Sequence, residues 1–505
     1  MIRIACVLLT IFCLSFAALA RENLVTTTIK KTQSTTISKE SLDHAQKLRD
    51  LAIEKNEAWI ILESLTTEVG ARLAGSPADA RAVAWAKKAF TQFGFDKVYT
   101  EPVRFPVWRR RSESAEILEP FPHQLSLTAL GGSIGTGTKP VEAQVAEFST
   151  LDALKQAHKK DVQGKIVFIG NRMMRARDGS GYGPAVAARV QGAAIAAQLG
   201  AVALLIRSIG TDNDRLPHTG MGVSLAEQLA NPTAAARFAK TESSIPIVPT
   251  SIPAAALAAP DADLLSRVLE RSRSVRIRLQ LDVGYEQEEY ESANVIGEIT
   301  GSELPEEYIL LGAHLDSWDL GTGAVDDGAG IAITMAAGHL IAKNVPRPKR
   351  TIRVVAFANE EQGVYGGNQY GKDHAHEITQ HLLAAESDFG AGRIWRIDAA
   401  VKPEARPAIE QIQKVLEPIG IALGLPTAHG GPDLTAMRAH GMAVVDLQQD
   451  GTNYFDLHHT ANDTLDKVDP SDLNQNVAVY AVFAYLAAQA QGNFGSAPIP
   501  PDPKK

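Results

Sequence analysis

The sequence predicts an α/β fold that carries an inserted β-rich module, and three observations lead there. Largely apolar runs such as Tyr308 to Leu315 and Thr351 to Ala358 alternate with helical stretches after Tyr290, the pattern of a sheet covered on both faces. Between Glu113 and Gln287 the texture changes to short apolar runs separated by glycines and one Ala-rich helix. The 505 residues, at roughly 100–200 per domain, leave room for two or three domains. With 45% hydrophobic and 21% charged residues, global disorder is excluded. A net charge of -8 gives no electrostatic reason to bind nucleic acid.

Residues 1–20 read as a secretory signal peptide: Arg3, an apolar run from Ile4 to Ala17, then Ala18-Leu19-Ala20 as the cleavage site. The mature protein is therefore expected to be secreted or periplasmic, with no membrane association after cleavage. Both cysteines, Cys6 and Cys13, fall in this segment. Their removal excludes cysteine catalysis and thiolate metal ligands.

Residues 21–40 are polar and aperiodic, and read as a flexible leader. The first part of the main domain spans 41–112. It contains a helix from Leu42 to about Glu68, a second opened by Ser76-Pro77 and stopping near Gly94, and a strand from Val98 to Trp108. The insert, 113–287, holds strands at Lys165 to Ile169, Ala201 to Ile206, Ile245 to Val248 and Val275 to Leu281, with a helix from Ala185 to Gly200. The second part, 288–492, alternates strands at Tyr308 to Leu315, Thr351 to Ala358 and Met442 to Leu447 with helices at Ala329 to Lys343, Pro407 to Leu416 and Val477 to Ala488. The proline-rich tail, 493–505, reads as disordered.

Five acidic and histidine motifs fall at or just after the ends of buried strands, where α/β sheets place their sites. His314-Leu315-Asp316 ends one strand, and period two puts both polar side chains on one face. Asp326-Asp327 lies in a glycine-rich turn that opens a helix; N-capping accounts for one aspartate, and a pair there can also hold a hard cation. Asn359-Glu360-Glu361 follows an apolar strand directly, and two adjacent glutamates there are costly unless solvated, paired or metal-bound. Glu386-Ser387-Asp388 and His458-His459-Thr460 complete the set. Two histidines and three carboxylates, one of them shared, suffice for two metals about 3.5–4 Å apart. Nitrogen and oxygen donors favour zinc, with cobalt or manganese as alternatives.

Together with Ser317-Trp318-Asp319, Gly323 to Gly328, Gln362-Gly363 and Asp463-Thr464, these motifs stand in an order and spacing that resembles the co-catalytic zinc exopeptidases of clan MH, over roughly residues 45–490. The resemblance implies a mixed-sheet, phosphorylase/hydrolase-like peptidase domain whose insert is a protease-associated domain without a catalytic role. It implies two Zn2+ per chain: His314 and Asp388 on one, Glu361 and His459 on the other, and Asp326 bridging through a cis Asp326-Asp327 peptide. Glu360 would be the general base and Asp316 would orient His314. His458 competes with His459 for its role; the family spacing to Asp463 selects His459. Tyr454 is a candidate for oxyanion stabilisation, and Asp319 and Glu386 are candidates for holding a substrate amine. The implied partner is a small peptide substrate, and the implied assembly a homodimer. The expected activity is hydrolysis of dipeptides or short peptides; the alternatives are an aminopeptidase acting on longer peptides and a non-catalytic, receptor-like homologue.

Overall fold

The computed structural model describes residues 34–222, 252–272 and 274–495. The segment read as a signal peptide, most of the stretch read as a polar leader, the strand expected at Ile245 to Val248 and the last ten residues lie outside them. Fourteen strands among the described residues join one mixed sheet. They are β1 (Lys97–Glu119), β2 (His123–Leu125), β3 (Leu127–Ala129), β4 (Val141–Phe148), β5 (Ile166–Ile169), β6 (Ala203–Arg207), β7 (Ala254–Leu257), β8 (Arg276–Ile299), β9 (Leu304–His314), β10 (Arg350–Phe357), β11 (His381–Glu386), β12 (Ile394–Ala400), β13 (Ala422–Leu423) and β14 (Val444–Gln449). Their order is β13-β12-β14-β11-β9-β10-β8-β4-β5-β6-β7-β3, with β1 beside β8 and β2 beside β1.

The principal helices are α1 (Lys39–Glu54), α2 (Glu57–Ser64), α3 (Pro77–Gln92), α4 (Tyr182–Gln198), α5 (Ala259–Arg271), α6 (Ala329–Asn344), α7 (Tyr365–Asp373), α8 (Arg406–Leu416) and α9 (Pro470–Gln489). Alternate strand residues enter two cores. Ile309, Leu311 and Ala313 of β9 and Ile352, Val354 and Ala356 of β10 pack with α6 and α9. Leu310, Val355 and Phe357 point the other way, toward Tyr370, Leu434 and Met437. Because both faces are covered, these strands read as continuous apolar runs rather than alternating ones. Helix α9 is buried at every position from Gln475 to Gln489, so its sequence is apolar all round. Among the described residues no helix is long and apolar enough to cross a membrane.

β9 runs parallel to β10 and β11, and β11 parallel to β14. Four neighbouring strands therefore end on the same edge of the sheet, which is where the five motifs lie.

Three local differences from the sequence reading have physical causes. The expected helix from Leu42 to Glu68 is two, α1 and α2, followed by a π-turn at Leu65–Val69. The apolar stripe lapses between Ala52 and Ala58, where Glu54 to Glu57 are all polar. The leader ends before residue 35: Thr35 is fully buried, its hydroxyl donates to the Asn493 carbonyl at 2.6 Å, and Thr36 forms a β-bridge with Gln491. Ser38 then caps α1, so part of the polar text is capping rather than flexibility. Finally, β1 and β8 are far longer than the strands expected within them. They pair antiparallel from Lys97 and Glu298 out to Glu119 and Arg276, passing through residues 113 and 287 with register shifts between Phe105 and Ser112 and again near Glu119. Beyond them β4, β5, β6 and β7 run parallel to one another, so this part of the chain is an α/β layer of its own.

Candidate metal centre

His314 is the last residue of β9, and its imidazole is almost fully buried. Its Nε2 lies 3.2 Å from Asp326 Oδ1 and 3.4 Å from Asp388 Oδ1. Across the same aspartate, His459 Nε2 lies 3.3 Å from Asp326 Oδ2 and 2.9 Å from Glu361 Oε2. Asp326 thus stands between two matching histidine–carboxylate pairs, one oxygen toward each. The Asp326-Asp327 peptide is cis. All five residues named from the sequence as ligands converge here.

The surrounding chain fixes each of them. Asp327 accepts from the His314 amide at 3.1 Å and from the Gly330 amide at 3.1 Å, tying the strand end to the start of α6. Asp463 accepts from the amides of Val325 and Asp326 at 2.5 and 3.3 Å, holding the bridging aspartate in place. Asp316 acts differently from expectation. Its carbonyl oxygen accepts from His314 Nδ1 at 3.1 Å, while its carboxylate, 3.6 Å from that nitrogen at Oδ1, accepts from the amides of Glu360 and Glu361 at 2.9 and 3.3 Å. One residue therefore sets both the His314 ring and the turn bearing the two glutamates. Three non-glycine residues here adopt left-handed backbone: Asn359 (φ 51°), Val364 (φ 56°) and His459 (φ 62°). Such conformations cost of order 1–3 kcal/mol each and persist only where their surroundings over-determine them.

Arg72 is the main residue that sequence reasoning passed over. It is fully buried beneath the centre. It donates to the carbonyls of Leu315, Thr322 and Gly323 at 2.7, 2.7 and 2.9 Å and to that of Gly70 at 3.3 Å. Gly323 has φ 64°, and a Cβ there would fall on the Ser317 side chain and close to the Arg72 guanidinium. The only sequence signal for Arg72 is its place in a helix-breaking Gly-Ala-Arg-Leu-Ala-Gly stretch.

The electrostatics match a cation pocket. Burial pushes the Glu360 carboxyl well above its usual range; Asp388, Glu361 and Asp433 reinforce this, and His314 opposes it. Burial also raises Glu361 to about 6 and Asp463 to about 7. Against burial, His314 and His459 hold Asp326 well below the ordinary carboxylate range. Asp326 Oδ2 and Glu361 Oε1 are buried and make no hydrogen bond. Donors sharing a tetrahedral ion at about 2.1 Å stand roughly 3.4 Å apart, and the separations above are of that size. The donor set, imidazole and carboxylate without thiolate, fits zinc.

His458 stacks on His459 with ring centroids 3.4 Å apart; its Nε2 is 3.7 Å from Asp326 Oδ2 and its buried Nδ1 has no hydrogen-bond partner. His459 makes the shorter contacts. Tyr454 packs against His458, with centroids 5.1 Å apart. The two candidates for an amine site are otherwise engaged. Asp319 pairs with Arg110 at 2.6 Å, and Glu386 accepts from the amides of Asp433 and Leu434 at 3.3 and 3.2 Å. A second group of possible ligands, His374, Glu377 and His381, lies near the opposite end of β11. The Arg353 guanidinium stands among them, 3.4 Å from His381 Nε2 and 3.8 Å from Glu377, and neutralises that cluster without a metal.

Comparison with known proteins agrees with this geometry. Residues 294–484 match peptidase family M28. Carboxypeptidase Q of Xenopus laevis is 35% identical over 89% of this chain and 90% of its own length, and that of Homo sapiens is 34% identical over 89% of each. A solved peptidase M28 precursor from Shewanella amazonensis superposes with a TM-score of 0.84 at 46% identity, covering 91% of this chain and 99% of that one. A zinc aminopeptidase from Bacillus subtilis shares the fold, with a TM-score of 0.57 at 19% identity over 85% and 93% of the two chains. On likeness that spans nearly nine-tenths of both chains, this protein belongs to peptidase family M28 and is a metallopeptidase similar to carboxypeptidase Q.

Proposed function

We propose that this chain is a secreted di-zinc exopeptidase that hydrolyses dipeptides or short peptides, with Glu360 as general base. The observation that carries this reading is the position of Asp326 between the His314–Asp388 and Glu361–His459 pairs. His314, Asp388 and Asp326 would hold one zinc, and Glu361, His459 and Asp326 the other. Zinc bound there supplies a Lewis acid for the scissile carbonyl and lowers the pKa of water toward neutrality. Glu360, its amide pinned by Asp316 and its carboxyl raised by burial, takes the proton of the attacking water and returns it to the leaving amine. Secretion follows from the signal-like first twenty residues, and a homodimer from the resemblance stated above.

The test combines elemental analysis with one substitution. The purified protein is expected to hold two zinc ions per chain. Glu360→Gln should keep both and lose about 10²–10⁴-fold in kcat. A Glu360→Gln protein that cleaves dipeptides at the wild-type rate ends the assignment. A panel of dipeptides, tripeptides and analogues blocked at either end separates dipeptidase from aminopeptidase action.

A further inference from the structure

The inserted part of the chain reaches into the metal centre. Residues 211–222 leave β6, run along the turn that bears His458 and His459, and bond to it repeatedly. The Thr211 amide donates to the Phe455 carbonyl at 3.1 Å and the Thr219 amide to the His459 carbonyl at 3.0 Å. His459 Nδ1 donates to the Thr219 carbonyl at 3.2 Å. That bond places the ring proton on Nδ1 and leaves the Nε2 lone pair facing Asp326 and Glu361. His218, almost fully buried, donates from Nδ1 to the His458 carbonyl at 2.8 Å, and its Nε2 lies 2.8 Å from Asp212.

This segment is itself anchored. The His218 amide donates to Ser208 Oγ at 2.9 Å and the Thr219 hydroxyl to the Ala129 carbonyl at 2.9 Å. The Gly131 amide donates to the Gly220 carbonyl at 3.0 Å, and the Gly222 amide to the Gly131 carbonyl at 2.9 Å. Close approach demands glycine at 220, where φ is 133°. A Cβ there would fall 2.8 Å from His459 Nδ1 and onto the Arg189 guanidinium. His459 has φ 62°, a conformation that needs outside support, and the bonds from His218 and Thr219 hold the carbonyls on either side of its Cα.

We propose that His218, oriented by Asp212, and the Thr219 carbonyl are positioning groups for His459, so that the inserted module completes one of the two metal sites. This rests on the di-zinc reading above, and it gives that module a part in holding metal, where the family resemblance implied only that it has no catalytic role. Groups that orient a metal-ligating histidine typically change metal affinity by about 10–100-fold when removed. The experiment titrates zinc into the metal-stripped full-length chain in competition with a chromophoric chelator, for wild type, His218→Ala and His218→Asn. The His218→Ala protein, compared at a temperature where both metal-free proteins are folded, should lose roughly tenfold or more in affinity for one of its two zinc ions. Its kcat should recover in excess zinc. His218→Asn, whose side-chain NH2 reaches the His458 carbonyl, should keep affinity within about threefold. A folded His218→Ala protein that binds both zinc ions as tightly as wild type overturns the inference. Should His218→Ala fail to fold, Asp212→Ala takes its place: weaker zinc binding supports the proposal, and wild-type affinity overturns it. A wild-type chain that binds no zinc would instead sink the functional reading on which the proposal stands.

Discussion

Arg72 shows how much of the centre depends on a fully buried side chain that bonds to loop carbonyls. It is a buried cation among buried acids, and burial lowers its pKa even as Asp463, Asp316, Asp327 and Asp326 support its charge. Replacing it with Met removes four donors to loop carbonyls and a buried positive charge together. We expect Arg72→Met to destabilise the fold by about 3–5 kcal/mol, measurable by urea denaturation. At this scale the five candidate ligands that converge were legible in the sequence because acids and histidines at strand ends are conspicuous; the preference for His459 over His458 came from the family's spacing to Asp463. Arg72 and His218 were not. Their partners are mostly backbone carbonyls or residues hundreds of positions away, and neither periodicity nor local spacing marks such bonds. Asp319 and Glu386 were legible only as acids near the right motifs; Arg110 and the amides of the loop at Asp433 claim them, and neither partner is a sequence neighbour.

Elements with one dominant cause were read almost to the residue. Ser76 accepts from the amides of Ala78 and Asp79 at 3.1 and 3.2 Å, with Pro77 as the first residue of α3. Ser76→Ala should cost about 1 kcal/mol of stability, seen as a lowered denaturation midpoint. The buried strands β9 and β10 were equally plain, since apolar residues on both faces leave one reading. The lengths of β1 and β8 were hidden because their outer halves carry alternating charged residues, which suit a ribbon and a loop alike. A pH effect also belongs to this scale. His374 follows α7 directly; its Nε2 lies 3.0 Å from Glu101 on β1, and Nδ1 faces Glu377. Against burial, these two carboxylates raise its pKa. A raised folded-state value means that the stabilisation is fully present below the unfolded value near 6.5 and is lost as pH rises through the folded one. The gap in melting temperature between wild type and His374→Gln should therefore narrow as pH rises above about 6.5.

For the molecule as a whole, folding concentrates Asp316, Asp326, Asp327 and Glu361 in buried positions near the buried Arg72 guanidinium. Zinc should consequently stabilise the native state, by about 2.7 kcal/mol when free metal stands at 100 times its dissociation constant. Thermal scans across a zinc titration, with and without a chelator, should show the midpoint climbing with metal concentration. A midpoint indifferent to zinc would contradict this. The overall class was legible because the alternation of strand and helix is a long-range pattern written in short-range signals. The bonding of residues 211–222 to the turn at His458 and His459 was not, since it depends on where two distant loops meet.

The bridge between Thr36 and Gln491, with Thr35 bonded to Asn493, sets the first and last described residues side by side. A short Gly/Ser connector could therefore splice them, and new termini could be opened at an exposed loop tip such as Gly137. Such a circularly permuted chain should fold and keep the His314–Asp326–His459 cluster intact, because the splice lies away from every residue of that cluster.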